Sequence, residues 1–119
     1  MTTLFQLIAA DPTCTTLLGN APVKFFEFAT APQLETVPYA TWQELAATPF
    51  NLVEGVPGTD HVKYQIDTWA ATAAEVRTIT RAIRRAIDGV GVVTYVQNTW
   101  DEESRLYRSV IHYHKAQEV

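Results

Sequence analysis

The stretch from His61 to Gly89 constrains this chain more than any other, because in it a period-two run of apolar residues passes directly into a period-3.6 run. From His61 to Trp69, Val62, Tyr64 and Ile66 alternate with Lys63, Gln65 and Asp67, the pattern of a strand with one wet face. After Ala70 and Ala71 the spacing changes to Val76, Ile79, Ile83, Ala86, Ile87 and Val90, one stripe of an amphipathic helix. Thr72 is the expected N-cap, with Glu75 completing a capping box. Gly89 and Gly91 are read as the stop, since a left-handed C-terminal position costs glycine least. A strand is thus followed by a helix that folds back onto it.

The rest of the chain is placed around that unit. Thr2 or Thr3 caps a short helix carrying Leu4, Phe5, Leu7 and Ile8, which Asp11 and Pro12 are expected to stop; Thr15 to Leu18 adds a further turn. Val23 to Phe28 has the aromatic and β-branched content of a strand, with Phe25 opposite Phe26 and Phe28, so that one apolar face is available to another chain. Ala29 to Pro38 reads as a loop. Tyr39 to Ala46 reads as a strand whose core-facing side is ambiguous. Thr48 to Asp60 is a long connection bearing Phe50, Leu52, Val53 and Val56, and connections of that length are usually functional. Val92 to Trp100 and Leu106 to Lys115 form a hairpin across Asp101 to Arg105. In its second strand Tyr107, Ile111 and Tyr113 share one face, and Arg108, His112 and His114 the other. The expected fold is α+β: a mostly antiparallel sheet packed on one face by the central amphipathic helix and a short N-terminal helix.

Composition narrows the functional classes. At 119 residues the chain suits a single domain, 1–119, and 47% hydrophobic against 18% charged residues marks a folding sequence. The formal charge of −4, with no basic arm, argues against specific nucleic-acid binding. No apolar run reaches the roughly 20 residues of a membrane helix, and Met1 to Ala10 has no basic n-region, so no membrane partner is expected. Cys14 is the single cysteine, which excludes an internal disulfide and fits a reducing compartment.

Candidate chemistry is sparse. His112 and His114 could ligate zinc with His61, but no Cys/His pair or His-Glu-x-x-His helix accompanies them, and no metal site is assigned. Cys14 reads as a packing group, Asp101 to Glu103 as a solvated turn, and the scattered glycines build no phosphate-binding loop. No catalytic residue and no cofactor are assigned. The informative charged feature is the row Arg77, Arg81, Arg84 and Arg85 on the helix face away from the apolar stripe. Three readings stay open: a solvated face, arginine forks pairing with carboxylates of a neighbouring subunit, and contact with DNA.

The order of these segments resembles a known family. The run Val62, Lys63, Tyr64, Gln65, Ile66, Asp67, Thr68, Trp69, Ala70, Ala71, Thr72, followed by a regular helix, is similar to the V-Q-I-D-x-W-A-x-T signature of the small tail completion proteins of long-tailed phages and prophages. The N-terminal helix ending at Ala10, Asp11 and Pro12, the Val37 to Thr41 segment, and Asp101 to Glu103 before Leu106, Tyr107 and Arg108 agree in order across nearly the whole chain. The resemblance implies a structural role without catalysis: a tail terminator or head-to-tail joining protein, encoded by a phage, a prophage or a gene transfer agent. It implies a ring of copies, usually hexameric, at the head-proximal end of the tail, with the major tail tube protein and a neck protein as partners. Such a protein would assemble in the host cytoplasm and finish in the particle, and a monomer before assembly is compatible with it. Partner contacts are then expected at Phe50, Leu52, Val53 and Val56, and at Arg77, Arg81, Arg84 and Arg85. The alternative from another class is a small α+β enzyme or ligand-binding domain with a pocket under residues 48–60.

Overall fold

The computed structural model describes residues 4–19, 23–27, 37–49 and 59–118. Its frame is a five-stranded sheet in the order β1-β2-β3-β5-β4. The strands are β1 Phe25–Glu27, β2 Tyr39–Pro49, β3 Thr59–Ala70, β4 Val92–Asp101 and β5 Leu106–Glu118; the helices are α1 Leu4–Ala9, α2 Pro12–Leu18 and α3 Ala73–Ile87. Only the β1–β2 pair is parallel. The expected α+β fold is therefore what forms, with the helices gathered on one face.

Period two selects that face. Val62, Tyr64, Ile66, Thr68 and Ala70 of β3 are buried, and register places Tyr64 beside Tyr113, Ile66 beside Ile111 and Thr68 beside Ser109 of β5. The same register settles the side of β2 that its own sequence left open. Ala40 pairs with Thr68 and Trp42 with Ile66, so they join the core side, while Tyr39, Thr41 and Gln43 lie on the open side. An irregularity between Glu44 and Ala46 then shifts the register, which is why alternation along β2 alone cannot be followed to its end.

The helix α3 covers this core with Val76, Ile79, Ala82, Ile83 and Ile87, all buried. Burying each large apolar side chain contributes about 1.5–3 kcal/mol, so the stripe outweighs what the helix could gain from intrinsic propensity. Thr72 caps it as expected, accepting from the Glu75 N–H at 3.1 Å. The return half of the expected capping box differs, because the Glu75 carboxylate accepts from the Ala71 N–H at 3.4 Å. Val90 is not part of the stripe: the helix ends at Ile87 and Val90 is 45% exposed.

The two glycines after α3 have separate causes. Gly89 holds φ +89°, the left-handed position that ends the helix. Gly91 does not; a Cβ there would fall 2.4 Å from the His114 carbonyl oxygen and 2.6 Å from the Tyr113 ring. It is needed for close approach, which lets the Tyr113 hydroxyl donate to the Ile87 carbonyl at 2.9 Å and tie β5 to the end of α3.

At the N-terminus, Asp11 and Pro12 start a helix instead of only stopping one. The Asp11 carboxylate accepts from the Cys14 N–H at 2.9 Å and Pro12 takes the first helical position, where its missing N–H costs nothing. Of the expected apolar patch, Leu4 and Ile8 are buried, Leu7 packs at the margin and Phe5 is 41% exposed. The Thr2 and Thr3 caps, Phe28 and the loop before Val37 lie outside the described residues.

Candidate partner-binding surface

The four arginines of α3 are all exposed, opposite the buried stripe. They do not act as one row. Arg81, Arg84 and Arg85 line an open groove of about 390 Å³ with Asp88 and Val93, between the C-terminal half of α3 and the start of β4. Arg77 belongs to a smaller hollow of about 180 Å³ with Ala73, Val76, Asn98, Thr99, Trp100 and Tyr107, at the other end of the helix. Arg77 and Arg81 are only four residues, about 6 Å, apart on the helix, so the division comes from the β4 and β5 residues that line each end: Val93 at one, and Asn98 to Trp100 with Tyr107 at the other.

In the larger groove three guanidinium groups outnumber the Asp88 carboxylate, and the last-turn arginines Arg84 and Arg85 also complement the negative end of the helix dipole. Such a surface suits carboxylates presented at planar, two-point geometry. Asp88, the C-cap of α3 four residues after Arg84, belongs to that face by helix spacing, whereas Val93 could not be assigned to it from sequence, because the return of the chain into β4 brings it there.

At the far end of β4 the turn into β5 is acidic. Asp101 accepts from the Ser104 N–H at 3.1 Å, and hydrogen bonding from Ser104 holds the Asp101 carboxyl below its usual pKa. Glu102 accepts from the Trp100 indole N–H at 2.7 Å, and Arg105 adopts φ +59°. The Asp101 and Glu102 carboxylates are each held by a local hydrogen bond, which lowers the entropy lost when they meet a partner.

The sheet face away from the helices carries a second surface. Arg108 lies over the Trp69 ring at 5.1 Å and donates to Asp67 at 3.1 Å; Tyr39 stacks on Trp69 with ring centroids 6.4 Å apart. His112 faces Tyr95 at 5.1 Å. Neither His112 nor His114 joins a set of three or more potential metal ligands among the described residues. Cys14 is buried against α3, and burial together with Asp11 pushes its thiol up to about 12. Phe50, Leu52, Val53 and Val56, and with them the pocket expected under residues 48–60, lie outside the described residues. No helix among the described residues is long and apolar enough to cross a membrane.

Comparison with known proteins bears on what such surfaces serve. The family model described as "Tail completion protein gp17" matches residues 2–118. Among solved structures, a chain from the virion of a native gene transfer agent particle superposes with a TM-score of 0.77 at 14% identity, covering 98% of this chain and 92% of that one. At that identity the likeness establishes a shared fold. No curated protein matches the chain.

Proposed function

Because the chain belongs to the tail completion protein family, matched over residues 2–118, we propose that it completes the tail of a phage or phage-like particle by presenting surfaces to other subunits, without catalysis. The full-length family match is the observation that carries this reading, and the form of the surfaces agrees with it. Among the described residues, the groove rimmed by Arg81, Arg84 and Arg85 is open, the kind of site that receives a protein segment, and the exposed turn at residues 101–105 is a projection suited to meet one.

In this reading copies of the chain close side to side into a ring, hexameric in number, at the head-proximal end of the tail tube. The arginines at 81, 84 and 85 take carboxylates of a neighbour, and Arg77 contributes at the other end of the helix. Phe50, Leu52, Val53 and Val56 contact the major tail tube protein, and the opposite end of the ring receives the neck protein. Assembly takes place in the host cytoplasm, and the protein ends in the finished particle. The double variant Arg81→Glu, Arg84→Glu tests the assignment, since both side chains are exposed and the fold should persist. Particles assembled with it should fail to complete or join their tails; normal completion would remove the arginine groove from the account.

A further inference from the structure

We propose that the acidic turn at residues 101–105 of each copy seats in the Arg81, Arg84 and Arg85 groove of the next copy, head to tail around the assembled ring. The contact rests on the ring of the proposed function and specifies which surfaces meet in it. Two observations carry it. The first is that the groove is unengaged. Among the described residues no hydrogen bond or ion pair holds Arg81, Arg84 or Arg85, although each guanidinium offers five N–H donors and Asp88 lines the same groove. Three guanidinium groups against one carboxylate leave an excess of two positive charges.

The second observation is that the same chain carries the counterpart. Beyond the far end of β4, Asp101, Glu102 and Glu103 share a turn with Arg105 as its one basic residue, an excess of two negative charges. Asp101 and Glu102 are held by local hydrogen bonds, but a carboxylate has about four acceptor positions, so both keep room for a guanidinium fork. Val93 in the groove and Asp101 at the turn are eight residues apart, about 26 Å along a strand, so a turn cannot reach the groove of its own copy. A two-fold pair would fill both surfaces of both copies and leave none for a third. Head-to-tail seating instead leaves one groove and one turn free at the two ends of the row until the ring closes. The contact is small: a five-residue turn against five lining residues falls well short of the roughly 20–30 residues a side of a stable complex. One such contact does not hold two free copies together. At the tube end copies sit side by side, and their high effective concentration lets the contact form at every junction.

Particles made in a background lacking the gene, with variants of the full chain supplied in trans, test the contact. Arg81→Glu with Arg84→Glu makes the groove net negative, and Glu102→Arg with Glu103→Arg makes the turn net positive. Each pair should lower the yield of completed tails at least about tenfold, and the four together, which exchange the two signs, should restore it to within about threefold of wild type. Thermal melts of the purified variants separate loss of contact from loss of fold. Arg84→Cys with Glu103→Cys supplies the same test without charge reversal: a short bis-maleimide should link copies in particles into a ladder beyond the dimer, and neither cysteine alone should do so. Cys14 is buried and does not compete. Linked pairs with no higher species, charge reversals without effect, or four substitutions that leave the chain folded and fail to restore tails would each overturn the contact. Deleting the gene reports on the assembly role by itself, so that role and this contact fail separately.

Discussion

Replacing Gly91 by alanine should damage this fold more than replacing Gly89, although Gly89 is the residue in the left-handed conformation. At Gly89 an added Cβ meets nothing within 4 Å, so the cost is conformational, about 1–2 kcal/mol for a non-glycine residue at φ +89°. At Gly91 the same atom would fall 2.4 Å from a backbone oxygen and 2.6 Å from the Tyr113 ring carbon and hydroxyl. A backbone carbonyl in a central pairing cannot swing aside, and overpacking of this kind costs about 1–3 kcal/mol. Displacing the ring also breaks the buried bond from Tyr113 to the Ile87 carbonyl; that carbonyl keeps the Val90 N–H, but leaving the buried tyrosine hydroxyl unpaired adds about 1–3 kcal/mol. The expected loss for Gly91→Ala is therefore about 2–6 kcal/mol, a large part of the 5–15 kcal/mol typical of a domain. Urea unfolding of wild type, Gly89→Ala and Gly91→Ala, with m held constant, measures the comparison. Equal losses, or a larger loss at Gly89, would refute the close-approach argument.

Cys14 should stay unreactive toward thiol reagents at pH 8 in the folded protein and react only as fast as the chain opens, because its thiol titrates near 12; a free-thiol rate in native buffer would contradict this. Thr68→Val should leave stability unchanged or raise it by about 1 kcal/mol, since the buried Thr68 hydroxyl and that of Ser109 beside it have no hydrogen-bond partner among the described residues; thermal melts would show it, and a loss above that size would mean the hydroxyl is satisfied. Tyr113, fully buried, has its hydroxyl pushed up to about 12 by burial, then Asp88, then Tyr64. Its folded pKa thus exceeds the unfolded value near 10, so its contribution is complete below pH 10 and fades as pH rises toward 12, by up to about 2–3 kcal/mol. Urea titrations across that range should show the decline, reduced in Tyr113→Phe.

The parts of the fold legible in the sequence are those where one periodicity runs long enough to dominate. Val62 to Ile66 and Val76 to Ile87 give β3 and α3 because each buries one whole face. Asp11–Pro12 misleads because the same pair both ends a helix and caps the next, and six- or seven-residue helices show too few turns for a stripe. β2 is ambiguous because Glu44 follows Ala40 and Trp42 on the same side and the register shifts after it, so pairing with β3, not the strand's own alternation, fixes the inward face. Gly91 looked like a second helix stop, since nothing local reveals the Tyr113 ring that packs on it. The candidate surface follows the same rule. Helical spacing identifies the exposed arginines, whereas their division into two grooves depends on Val93 and Trp100, which arrive through tertiary contact.

The central claim, that this chain completes a tail by shape and surface, is tested most directly by electron microscopy of particles produced with its gene deleted. The account predicts capsids without attached tails, or tails of abnormal length; tails of normal length joined to filled heads would contradict it.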